Sequence, residues 1–137
     1  MREVHIHSHM LPILAATVAR IALGALWYSP VLFLKVWMNL TGIGEQQMKQ
    51  GMGGKVTGDI VGSFIMAFVL MHMIVWSNAG SAAEGMAVGF ICWLGFVAVA
   101  TVNTVTYEKR PFKLFALYNG YNLASLLAMG AILAGLS

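Results

Sequence analysis

Apolar residues along this chain fall into four long runs, divided by short stretches where polar and charged residues collect. The runs cover about residues 10–34, 58–76, 86–106 and 112–136. Each is close to the ~20 residues that cross ~30 Å of hydrocarbon as a helix. In lipid the backbone must satisfy its own hydrogen bonds, so the runs predict helices and exclude open strands. The expected fold is all-α: an integral membrane four-helix bundle, with residues 1–137 forming a single domain.

Helix-breaking residues agree with this division. Pro12 lies near the start of the first run, where a missing N–H costs little. Pro30 is expected to kink or end the first helix near Trp27-Tyr28-Ser29. Gly80-Ser81 separates the second run from the third, and Pro111 opens the fourth. In the long first connection, Gly44 to Gln50 predicts a short helix lying at the membrane surface, with Gly51, Gly53 and Gly54 breaking it. Trp27, Tyr28, Trp37, Trp76, Tyr107 and Phe112 gather near helix ends, the pattern of an aromatic belt. The halves do not repeat one another, so a duplicated transporter is not supported.

Composition strengthens the membrane reading. Hydrophobic residues make up 59% of the chain and charged residues 9%, against roughly a quarter charged in soluble domains. Mean hydropathy is +0.78. The net charge of +3 comes from basic residues beside the apolar runs. These suit orientation and contact with anionic membrane lipids. No basic-aromatic groove pattern accompanies them, so nucleic acid is not an expected partner.

The connections after the first and third runs hold Lys35, Lys49, Lys55, Lys109, Arg110 and Lys113, against Arg2 alone on the other side. That bias predicts cytoplasmic basic loops and two termini outside, in the periplasm of a bacterial cell. The first run is longer than a signal-peptide core and lacks an Ala-x-Ala site, so no cleaved leader is expected. Cys92 is the lone cysteine and cannot form an intrachain disulfide.

Polar residues within the runs carry the functional information. Arg20 falls near the middle of the first run, where a charge costs about 2.5–3.5 kcal/mol on insertion scales. Glu3, Glu45, Asp59, Glu84 and Glu108 all map to loops or helix ends, which leaves Arg20 without a carboxylate at its depth. Counting ~1.5 Å per residue places Arg20 and His72 roughly 20 Å from the cytoplasmic ends of their helices. Tyr28, Asn103, Tyr118 and Asn119 are nearer that end, and Asn122 lies between. Converging faces would join these seven residues in one polar column, an anion or polar-ligand site. The plainer reading is a set of hydrogen bonds holding helices together, each contributing roughly 0.6 kcal/mol.

Gly58/Gly62 and Gly85/Gly89 have small-xxx-small spacing, suited to close helix contact within the bundle or between subunits. His5, His7 and His9 alternate along the N-terminal tail, but no Cys or carboxylate completes a metal site. No metal, other cofactor or catalytic residue is expected, because no nucleophile–base pair or paired carboxylates lie at membrane depth.

Gly24-Ala25-Leu26-Trp27-Tyr28-Ser29-Pro30, followed by Phe33, Lys35 and Trp37, resembles an uncharacterised family of small bacterial four-helix membrane proteins. The resemblance continues through Leu40-Thr41-Gly42, Asn103, Leu114-Phe115 and Gly120-Tyr121. It implies a four-helix fold and supplies no activity. Small multidrug exporters share the size and helix number but rely on a Glu in the first helix, where this chain carries Arg20. Four-helix fluoride channels also share the size, but their Gly-rich and Thr/Phe/Ser pore motifs are missing.

The expectation is a non-enzymatic membrane protein that binds or passes a small solute, anion or lipid group at Arg20. The alternative is a structural or accessory subunit. A homo-oligomer is expected, with a dimer favoured, because four helices offer little interior in which to hide so many polar groups.

Overall fold

Helix α1 (Ile6–Trp27) ends where Pro30 approaches, because proline cannot continue the ladder. The Tyr28 N–H still reaches the Gly24 carbonyl, and the Phe33 N–H bonds to the Trp27 carbonyl to close the turn. The computed structural model describes residues 6–136 and is entirely helical in its regular elements. Four segments are long and apolar enough to cross a membrane: His9–Trp27, Met52–Trp76, Ala82–Thr106 and Phe112–Leu136.

The first helix is shorter than its apolar run, because residues 28–33 turn and a separate helix, α2 (Leu34–Thr41), follows. Gly42 ends α2 at φ 73°, a left-handed conformation that favours glycine. The short helix expected at Gly44 to Gln50 is present as α3 (Glu45–Lys49). Gly51, at φ 65°, then opens α4 (Met52–Trp76). Gly53 and Gly54 lie inside α4 and do not break it, so this helix starts six residues before the expected Gly58. An apolar count misses these turns because Gly53, Gly54, Lys55 and Thr57 add little hydropathy.

The third span begins as α5 (Ala82–Cys92), with the Ser81 hydroxyl capping the Glu84 N–H. It continues through a π-helical turn, Trp93–Ala98, then α6 (Val99–Thr101) and α7 (Asn103–Thr106). Last comes α8 (Phe112–Leu136), as expected.

Helix α8 is the axis of the bundle and touches all three other spans. Its Leu126, Met129 and Leu133 meet Ile13 and Ala16 of α1 and Ala67, Met71 and Ile74 of α4 in one core. The third span joins differently. In α5 only Gly85 and Gly89 are buried, and they press directly on α8. A Cβ on Gly85 would collide with the Gly130 carbonyl, and one on Gly89 with the Leu126 carbonyl. Around Gly58 and Gly62 there is open space. The two glycine pairs therefore differ: Gly85/Gly89 is consumed within the bundle and is not available as a contact between subunits.

Large apolar side chains such as Val18, Ile65, Val69, Phe96 and Val99 are exposed on the outer faces, as lipid-facing residues would be. The Trp27 indole donates to the Leu117 carbonyl, which sets the end of α1 beside the start of α8. The two basic connections consequently lie at the same end of the bundle. His5 and the side chain of His7 lie outside the described residues. Among the described residues no group of three His, Cys, Asp or Glu is placed to hold a metal.

Candidate functional site

Arg20, Gly24 and Tyr28 follow one another at intervals of four, so they share one stripe of α1 and its immediate extension. On α4 the same spacing aligns Lys55, Asp59 and Ser63. On α8, Tyr118 and Tyr121 are three apart. These three stripes line an open-sided cavity of about 920 Å³ at the basic end of the bundle. The connection covers it: Leu34 and Trp37 come from α2, Ile43 from the turn, and Gln47 and Met48 from α3.

Two hydrogen-bonding arrangements hold the cover. The Trp37 indole donates to the Tyr118 hydroxyl at 3.0 Å. Lys55 Nζ donates to the carbonyls of Met48 at 3.0 Å and Gln47 at 3.3 Å, satisfying orphan groups at the end of α3. The Tyr28 ring stands edge-on to Trp37 at 6.4 Å and to Tyr121 at 5.6 Å. Just past the end of the first span, the Tyr28 phenol is pushed above its ordinary range, chiefly by burial and then by neighbouring Tyr118 and Tyr121. It stays protonated and can donate.

Arg20 lies at the inner end of the cavity. Its Nη1 donates to Ser63 Oγ at 2.8 Å, and Ser63 is fully buried. Its guanidinium carbon stands 5.1 Å from the centre of the Tyr121 ring, a cation–π contact. The Tyr121 hydroxyl donates back to the Arg20 carbonyl at 3.1 Å. Nε is buried without a partner. A bond to a charged donor contributes about 1.5–3 kcal/mol, so these contacts offset much of the cost of the charge. The two ion pairs among the described residues, Lys49–Glu45 and Arg110–Glu108, are exposed and leave Arg20 out.

The structure revises the environment of Arg20. Because α1 ends at Trp27, Arg20 is seven residues from its end, roughly 10 Å rather than 20 Å. Because α4 starts at Met52, Asp59 is not at a helix end but two turns inside, one turn from the serine that holds the guanidinium. A carboxylate therefore lines the same cavity as Arg20, although it makes no ion pair with it.

The single polar column divides. Arg20, Tyr28 and Tyr118 line the large cavity. Asn119 and Asn122 line a smaller one of about 120 Å³ on the other side of α8, with Thr101, Thr104 and Arg110. Helix geometry explains the split: at ~100° per residue, Tyr121 points ~60° to one side of Tyr118 and Asn119 ~100° to the other. Tyr118 stands between and lines both cavities.

Asn119 is buried and serves the third span. Its Nδ2 donates to the Phe115 carbonyl, its Oδ1 accepts from Thr101 Oγ1, and its carbonyl accepts from the Trp93 indole at 2.9 Å. That last bond meets the π-helical turn at its first residue. Asn103 is exposed and lines neither cavity. His72 also lies outside both. Its Nδ1 is 2.8 Å from the Phe68 carbonyl of its own helix, and its ring is edge-on to Phe68 and Trp76.

Sequence reasoning missed Ser63, Asp59, Lys55, Gln47, Trp37 and Tyr121 as cavity residues. The Lys55-Asp59-Ser63 spacing was a usable signal, but only with α4 drawn back to Met52.

These features define a four-helix protein of the multi-pass membrane type, with an arginine-bearing cavity at its basic end. The chain belongs to the family described as Protein of unknown function (DUF1761), whose profile matches residues 11–134. No curated protein and no solved structure matches it.

Proposed function

We propose that this protein is non-catalytic and binds or passes a small solute, an anion or a lipid group in the Arg20 cavity. The observation that carries this reading is the Arg20 guanidinium, lining a cavity of about 920 Å³ with Nη1 bonded to Ser63 and no ion pair among the described residues to neutralise its charge. A charge placed only to join helices would be expected to have a carboxylate beside it. The polar wall suits a charged group, and Ile21, Met52 and Val56 suit an apolar portion beside it. The test compares species that co-purify with the wild type and with Arg20→Gln, by mass spectrometry. A bound species is expected in the wild type and should be depleted in the variant. Identical bound species would remove the ligand reading and favour an accessory subunit, the role suggested by the way Arg20 ties α1 to Ser63 of α4 and Tyr121 of α8.

The six-to-one basic bias supports a cytoplasmic cavity end and two external termini. A cysteine added at the C-terminus is expected to react with an impermeant reagent in intact cells; labelling only after lysis contradicts this orientation. The exposed Asp59 also supports a homo-oligomer, preferably a dimer, in which a second copy shields it from lipid. Its expected sign is twice the chain mass in lipid nanodiscs, and a monomer throughout would dismiss it.

A further inference from the structure

We propose that the cavity takes a zwitterion, its anionic group at Arg20 and its ammonium group at Asp59; this rests on the binding reading above. Both charges line one cavity, yet they form no ion pair. Lys55, one turn before Asp59, is the cation nearest to it along the helix, at a spacing that allows a pair. Instead its Nζ is turned to the carbonyls of Gln47 and Met48. Asp59 thus lines the cavity without a cationic partner among the described residues. A simple anion would neutralise Arg20 but meet the Asp59 carboxylate, and a simple cation would meet the guanidinium. A molecule carrying both charges satisfies both groups. The Tyr28 and Trp37 rings line the same cavity and offer π surfaces to an ammonium group.

Phosphate–ammonium chemistry is shared by an aminophospholipid headgroup and by a free zwitterion in water. The probes are phosphatidylethanolamine, phosphatidylglycerol (anionic, without the ammonium group) and glycerophosphoethanolamine (the zwitterion without acyl chains). Each is titrated into the purified full chain in detergent and read by native mass spectrometry. Phosphatidylethanolamine is expected to bind at least about tenfold tighter than phosphatidylglycerol, the effect of one charge-assisted hydrogen bond. Asp59→Asn, close to isosteric at an exposed position, should abolish that preference by weakening phosphatidylethanolamine alone. Asp59→Glu, which keeps the charge, should retain it. Arg20→Gln should weaken both lipids. Glycerophosphoethanolamine binding as tightly as the lipid assigns the zwitterion to the aqueous phase, and weaker binding assigns it to the bilayer; both uphold the proposal. Equal affinities with a silent Asp59→Asn overturn the zwitterion, while loss of both lipids in Arg20→Gln keeps the anion site standing. Failure of all three probes to bind overturns the zwitterion, and a silent Arg20→Gln overturns both readings.

Discussion

Gly85→Leu and Gly130→Leu are each expected to detach the third span from α8 and to lower stability by about 2–4 kcal/mol. Gly85 and Gly130 meet backbone to backbone, and a Cβ on either would strike the other's carbonyl. A flexible side chain could move aside; a helix backbone cannot without separating the helices. This crossing is the closest contact of the third span, since Gly85 and Gly89 are the fully buried residues of α5 and the side chains that pack beside them, Val88, Cys92, Trp93 and Val97, depend on that close approach. Farther along, the Trp93 and Thr101 bonds to Asn119 do not compensate, because interhelical bonds in membranes average only about 0.6 kcal/mol. Thermal unfolding in detergent, followed by tryptophan fluorescence, measures the loss. Gly58→Leu and Gly62→Leu are the controls. They point into open space and should not lower stability, since leucine also forms helix more readily than glycine. Equal losses at both pairs would refute the packing argument.

Arg20→Leu is expected to lower stability by about 1–3 kcal/mol, because it removes the donor to a fully buried Ser63 hydroxyl. The Tyr121 hydroxyl keeps its acceptor, since that bond goes to the Arg20 backbone carbonyl. Opposing the loss, a leucine relieves the cost of a charge at depth, about 2.5–3.5 kcal/mol in lipid. The relief should be smaller here, because the guanidinium faces a polar-walled cavity with room for water. Loss of the hydrogen bond therefore wins. Adding Ser63→Ala to Arg20→Leu should recover part of the deficit, since no hydroxyl is then stranded. A melting temperature for Arg20→Leu at or above that of the wild type would show that the guanidinium carries a net cost, as a residue kept only for a ligand would.

What the sequence determined by itself follows from constraints that act on a single segment. Four apolar runs of spanning length, with a backbone unable to bond to lipid, leave helices as the outcome. Pro30 marks the end of α1, and α3 stands where the short surface helix was expected. Arg20 was conspicuous as a charge inside an apolar run, and its stripe with Gly24 and Tyr28 follows from helical spacing. Only the tertiary structure decided how separate segments meet. Gly58/Gly62 and Gly85/Gly89 have the same spacing, yet one pair faces open space and the other seals a helix crossing. Tyr118 and Asn119 are adjacent, yet α8 turns Tyr118 toward the large cavity and buries Asn119 against the third span. His72 bonds within its own helix, whereas Ser63, an unremarked serine, holds the arginine. Spacing says which residues share a face, but the partner of that face is chosen by packing among all four helices at once, and that choice is not encoded in any one of them.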